Sequence, residues 1–257
     1  MMKRLLVAFL AVCLLGGGVL YLFGEQIFSP FETLAVYEVS GGELVDEPAS
    51  TEHQAVWDRF NELFPPDTHH DITQFRALDA VKSGGIDGAL LAVDDDRAEW
   101  ALALDTTNAY GESSLDRTMI HEFMHLVTLR IDQIPGGGAS TCTTYAPPEG
   151  CPAEGSYLHD YFNEFWPGYT TEDYENETPG ANGDCENECK DRFDTGGFVT
   201  DYAATIPTED IAEHFAEWVL EESTTRGTSV QDQKFAFFDR YSELVNLREH
   251  ARNALGG

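Results

Sequence analysis

His121-Glu122-Phe123-Met124-His125 is the stretch on which the reading of this chain turns. A helix advances about 100° per residue, so positions four apart lie about 40° from each other, one turn along the same face. His121 and His125 can therefore present two imidazoles to one ion. Glu122 stands to the side of that pair, where its carboxylate can reach a water beside the ion without entering the coordination sphere. The neighbours support a helix. Met119, Ile120, Phe123, Met124, Val127 and Leu129 recur at helical spacing as far as Arg130, and Ser114 or Asp116 is placed to cap the start.

A catalytic zinc ion takes three protein ligands and leaves a fourth position to water, so such a site needs one more donor downstream. Residues 200–219 read Thr-Asp-Tyr-Ala-Ala-Thr-Ile-Pro-Thr-Glu-Asp-Ile-Ala-Glu-His-Phe-Ala-Glu-Trp-Val. Pro207 suits the first turn of a helix and Thr208 its cap, which sets Glu209, Glu213 and Glu217 at i, i+4 and i+8 along one stripe. Three stacked carboxylates repel one another unless a cation or a histidine lies against them. Other donors stand open as rivals: His159 and Asp160, and Glu213 itself. His214 reads as a helix-face residue, and His69 with His70 as a solvated loop before a strand.

The His-Glu-x-x-His segment, together with Tyr202 followed seven residues later by Glu209 in a Tyr-x6-Glu-x3-Glu frame, resembles the gluzincin metallopeptidases. Within them it is similar to the branch of the anthrax lethal factor and the Pro-Pro endopeptidases. That resemblance covers some thirty residues. It implies a zincin-like α+β domain, zinc held by His121, His125 and Glu209, and Glu122 as the catalytic base. It further implies Tyr202 as an aid that polarises the substrate carbonyl and Glu213 as a partner of a zinc histidine. The separation of His125 from Glu209 is longer than this branch would lead one to expect, and a cysteine-rich stretch fills it. The implied activity is hydrolysis of a peptide or protein substrate. A zinc-holding surface module without turnover is the alternative, and neither Glu122 nor Tyr202 would be needed by it.

The rest of the chain frames these residues. Ahead of the motif, residues 33–39, 72–78, 88–93 and 99–105 read as strands and 52–64 as a helix stopped by Pro65-Pro66; after it, 208–222 and 231–253 read as helices. A sheet that is mostly N-terminal and helices that are mostly C-terminal make an α+β fold. Residues 99–105 are the expected edge strand, along which an extended peptide could lie. Residues 134–197 are rich in Gly, Pro, Asp and Glu and hold Cys142, Cys151, Cys185 and Cys189, which reads as a disulfide-braced acidic insertion; three pairings are open, the local Cys142–Cys151 and Cys185–Cys189 being favoured, and a metal site of all four thiolates is the competitor. The carboxylates of residues 173–194 read as a solvated loop, without the pattern of a calcium-binding hand.

Composition narrows the partners. The 46 acidic against 15 basic residues give a net charge of −31, a field that repels phosphate backbones and so excludes nucleic acid. Lys3 and Arg4 precede an uncharged run over residues 5–23, so residues 1–28 are expected to be a signal anchor or signal peptide, with residues 29–257 as one catalytic domain outside the membrane. The domain is expected to act as a monomer.

Overall fold

Five strands build one sheet in the order β2-β1-β3-β5-β4, where β1 is Thr33–Ser40, β2 Glu43–Leu44, β3 Ile72–Leu78, β4 Gly88–Ala92 and β5 Trp100–Asp105. The computed structural model describes residues 31–45, 48–94, 97–135, 142, 145–170, 173, 188–222 and 225–256. β3 and β5 run parallel, and the other neighbouring pairs are antiparallel. Every position of β5 is buried, as a strand covered on both faces requires. Trp100, Leu102 and Leu104 face the large core under the helices, while Ala101 and Ala103 meet a smaller cluster with Ile86 and Leu91 on the other face.

That order corrects the expectation that residues 99–105 form the edge. β5 sits between β3 and β4, and among the described residues the edges are β4 on this side and the two-residue β2 on the other. Chain order misleads here because the parallel β3–β5 pairing carries the later strand inside and leaves the earlier β4 outside.

Seven helices occupy the described residues: α1 (Thr51–Leu63), α2 (Glu112–Leu129), α3 (Tyr157–Phe165), α4 (Glu188–Phe193), α5 (Pro207–Leu220), α6 (Val230–Phe238) and α7 (Ser242–Ala254). The fold is therefore mixed α+β, with the sheet built before α2 and most helices after it. α2 starts earlier than expected, after Gly111 at φ +91°, so neither Ser114 nor Asp116 caps it. Asp116 instead accepts two hydrogen bonds from Arg59 of α1, at 2.7 and 2.8 Å. The single helix expected over 231–253 is two, broken at Asp239-Arg240-Tyr241.

The stretch 134–197 is not loop alone, since α3 lies in it and packs Leu158, Tyr161 and Phe162 into the core. Cys142 and Cys151 are disulfide-bonded with their Cα atoms 5.4 Å apart. Cys189 is disulfide-bonded too; its expected partner Cys185 lies outside the described residues, as does the leader over 1–28. Among the described residues no helix is long and apolar enough to cross a membrane.

His69 departs from its expected place in a solvated loop. Only 1% of it is exposed, its ring lies 4.9 Å from that of Phe60 and 5.8 Å from that of Trp57, and its Nε2 meets the Phe64 carbonyl at 3.2 Å. His70, beside it, does face solvent and pairs with Asp71. Burial pushes the His69 imidazole down to about 4. The unfolded chain then binds this proton more tightly than the folded one, so stability is present above about pH 6.5 and is lost as pH falls toward 4, by roughly 3 kcal/mol in full. Thermal melts of wild type and His69→Gln between pH 7 and 4 should show a steeper fall in melting temperature for the wild type; parallel curves would contradict this.

Candidate metal centre

α2 and α5 lie against each other antiparallel, and the contact is a ladder of charge. From one end, Arg117 donates to Glu217 Oε2 at 2.6 Å and to Glu213 Oε2 at 3.1 Å. His121 Nδ1 meets Glu213 Oε1 at 2.8 Å, and Glu209 Oε2 then lies 3.1 Å from His121 Nε2 and 3.3 Å from His125 Nε2. Each helix thus presents a stripe at i, i+4 and i+8: Arg117, His121 and His125 on α2, Glu209, Glu213 and Glu217 on α5. The repulsion expected of three stacked glutamates is relieved by the two histidines and the arginine interleaved with them.

Other contacts fix this alignment. Pro207 opens α5, while Asp210 on a different face of that helix accepts from Trp166 Nε1 and Lys234 Nζ, each at 2.7 Å, and so ties α5 to the end of α3 and to α6. Asp210 and Lys234 are buried, and their charges are matched to each other.

The donor chemistry at the ladder's end asks for a cation. Glu213 is a carboxylate, so His121 Nδ1 carries the proton it shares with it, and Nε2 is the ring nitrogen that faces inward. There it meets His125 Nε2 at 2.9 Å and the Glu209 oxygen, so three atoms able to bind a metal ion converge on one point. His121, His125 and Glu209 are all buried and are the group of ligating side chains, among the described residues, that could hold a metal ion. Burial opposes charge on His121, yet its hydrogen bonds to Glu209 and Glu213 outweigh burial and hold the imidazole well above its ordinary value. Burial also works against charge on Glu209, but the two histidines bring its carboxyl down to about 2. A metal ion placed among these donors would take over the role those protons play.

Glu122 faces a different side. It is 1% exposed, its Oε2 has no hydrogen-bond partner among the described residues, and the Leu90 N–H of β4 donates to its carboxylate. Burial is the main reason its carboxyl is pushed up to about 8. The Tyr202 ring lies 6.1 Å from that of His121, stacked, and its hydroxyl end is buried against Glu209, which together raise its ionisation well above the ordinary value.

Of the rival donors, His159 pairs with Asp160 at 2.9 Å on α3, and neither joins the converging group. His214 is wholly buried, its Nδ1 against the Asp210 carbonyl at 3.0 Å. Glu213 binds the outer nitrogen of His121 instead of pointing at the centre. Several residues around the site escaped the sequence reading. Arg117 had a signal, since it stands four residues before His121 on the same face. Thr200, which donates to Glu213 Oε2 at 2.8 Å, had none. Glu149 had none either: it is buried, its Oε2 lacks a partner among the described residues, and burial, with Glu209's charge nearby, pushes its carboxyl up to about 8.

Gly88 shows why β4 can come so close to α2. A Cβ there would stand 2.3 Å from Thr118 Cγ2 and 3.2 Å from Glu122 Cγ. Any larger side chain would wedge the strand off the helix that carries the site.

A divalent ion that binds only the folded chain stabilises it by about 2.7 kcal/mol at a hundredfold excess over its dissociation constant. Zinc should therefore raise the melting temperature of metal-free protein, with one ion taken up per chain in calorimetry, and Glu209→Ala should bind it far more weakly. Equal uptake by wild type and Glu209→Ala would remove Glu209 from the centre.

No family model matches the chain, and no curated protein matches it. Among solved structures the chain is similar to the "putative zinc-binding metallo-peptidase" of Bacteroides caccae, at 17% sequence identity over 82% of each chain with a TM-score of 0.42. A likeness at that level carries no chemistry across, so the metal centre stands on its own geometry.

Proposed function

We propose that this chain is a zinc-dependent metallopeptidase of the gluzincin type, hydrolysing peptide bonds in a peptide or protein substrate. The observation that carries the proposal is the convergence of His121, His125 and Glu209 with the buried, unpartnered Glu122 beside them and an edge strand alongside. Two imidazoles and one carboxylate suit zinc. Three protein donors are one fewer than a purely structural zinc site takes, which favours catalysis over a surface module that merely keeps the ion.

When bound, zinc supplies Lewis acidity, polarising a carbonyl and easing deprotonation of a water. The protein does the rest. Glu122 accepts the proton of the attacking water and passes it to the departing amine. Tyr202 keeps its proton far above neutral pH and so can donate to the oxygen on which charge develops. Glu213 orients His121 through Nδ1, and Arg117 with Thr200 holds Glu213.

The substrate strand has a natural place. Asp87 and Val93 bond across to β5, through Asp105 N to Asp87 O at 2.8 Å and Val93 N to Glu99 O at 2.9 Å. In an antiparallel pair the alternate residues, Gly88, Leu90 and Ala92, then direct their N–H and C=O groups away from β5, the Leu90 N–H being taken by Glu122. An extended peptide can pair with that edge, next to Glu122, without its sequence being read.

The place of action belongs to the same proposal. The Cys142–Cys151 disulfide fits an oxidising compartment, and Lys3 with Arg4 ahead of an uncharged run fits a leader that anchors or exports a monomeric domain to the outer side of a membrane.

Glu122→Gln should keep its zinc, measured by metal analysis, and lose kcat on a peptide substrate by about a thousandfold or more; cleavage at the wild-type rate would end the base assignment. Tyr202→Phe should lower kcat by about a hundredfold with little change in KM. A change in KM alone would make Tyr202 a binding residue.

A further inference from the structure

Beside the metal centre lies a cavity of about 190 Å³ whose wall includes Asp87, Arg117, Thr118, His121, Glu122 and Tyr202. It shares Glu122 and Tyr202 with the reaction centre, so a side chain in it belongs to a residue flanking the bond under attack. Glu122 and His121 both belong to this wall, so the cavity adjoins the metal donors.

The charges in this wall are unevenly committed. Arg117 is spent on Glu213 and Glu217, at 3.1 and 2.6 Å, and Glu213, also in the wall, is further engaged by His121 and Thr200. Glu122 is reserved for proton transfer. Asp87 is different: it stands just before β4, half-buried, accepts a hydrogen bond from Thr118 Oγ1 at 3.0 Å, and forms no salt bridge among the described residues; burial pushes its carboxyl up, and the Thr118 hydrogen bond and the charge of His121 only partly offset this. A carboxylate in a partly desolvated wall, with no cation of its own, favours a cation brought by the ligand.

Resting on the metallopeptidase reading, we propose that this cavity is a specificity pocket for a cationic side chain, lysine or arginine, flanking the scissile bond, and that Asp87 is the residue that selects it. The polar wall gives little apolar surface for an aliphatic or aromatic side chain to bury. Thr118 fixes the Asp87 carboxylate, and the Gly88 backbone that follows is held against Thr118 and Glu122, so the selecting group is positioned by the same contact that brings β4 to the site. The net charge of −31 adds attraction at long range for basic peptides.

The test is digestion of an unbiased peptide library by the zinc-loaded protein, read by mass spectrometry. Lysine or arginine should be enriched about tenfold or more on one side of the cleaved bonds, and kcat/KM for a lysine peptide should exceed that for its norleucine counterpart by a similar factor. Asp87→Asn keeps size and an acceptor for Thr118 and should bring that ratio near one while cleavage of the norleucine peptide persists. Cleavage without basic enrichment, or a ratio unchanged in Asp87→Asn, overturns the pocket and leaves the hydrolase reading standing. A protein that cuts nothing sinks the hydrolase reading, and binding then decides the pocket. Nα-acetyl-lysine amide should bind the wild type more tightly than Nα-acetyl-norleucine amide, followed by nuclear magnetic resonance, and equal binding of the two would overturn it. That last comparison needs no variant, so it holds even if Asp87→Asn fails to fold.

Discussion

The antiparallel contact between α2 and α5 is the constraint on which the rest of this molecule depends. Six ionisable side chains interlock across it: Arg117, His121 and His125 from α2, and Glu209, Glu213 and Glu217 from α5. Most of the contact is buried, so each carboxylate is tolerated only because a proton donor faces it. Sliding one helix by a turn would set Glu213 against His125 and leave Glu209 buried without a cation. The ladder therefore fixes the register of the two helices as well as their attraction, and register is what makes three donors meet at one point.

Support for the ladder comes from both sides. On α5, Asp210 binds Trp166 and Lys234, so the helix is also held from a face other than the one that carries Glu209. On α2, Asp116 takes the guanidinium of Arg59 and ties the helix to α1. These pairs are far from the reaction centre in chemistry, yet they decide whether its donors stay within reach of one another. A buried charge with a partner on a neighbouring helix is a poor source of net stability and a good source of uniqueness, since few other packings leave it satisfied.

The edge strand is the second element of the design. β4 contributes a backbone more than side chains: its Leu90 N–H reaches Glu122, Gly88 lets it approach α2, and its outward amides offer a template for an extended peptide. A side chain at Gly88 would hold β4 away from Thr118 and Glu122. Proximity of strand and helix is a packing outcome, reached through one residue that lacks a Cβ.

The amino-acid sequence by itself settled what local spacing can settle. A pitch of 3.6 residues put His121 and His125 on one face and Glu209, Glu213 and Glu217 on one stripe, and the alternation ahead of them marked the strands. Four cysteines pointed to disulfides, while the Cys142–Cys151 bond itself was read from the structure. Spacing says nothing about which stripe meets which, so Thr200 entered the site only through tertiary contact, and Arg117, though on the same face as His121, found its carboxylates only there. Spacing placed the edge at residues 99–105 and His69 in solvent, and both failed because strand order and burial depend on neighbours remote in the chain. Tertiary structure alone decided that β4 lies outside β5, that Asp87 and Glu122 share one cavity, and that Glu209 rather than His159 closes the donor set. The physical reason is that periodicity is a property of consecutive residues, while coordination requires atoms more than eighty positions apart to converge.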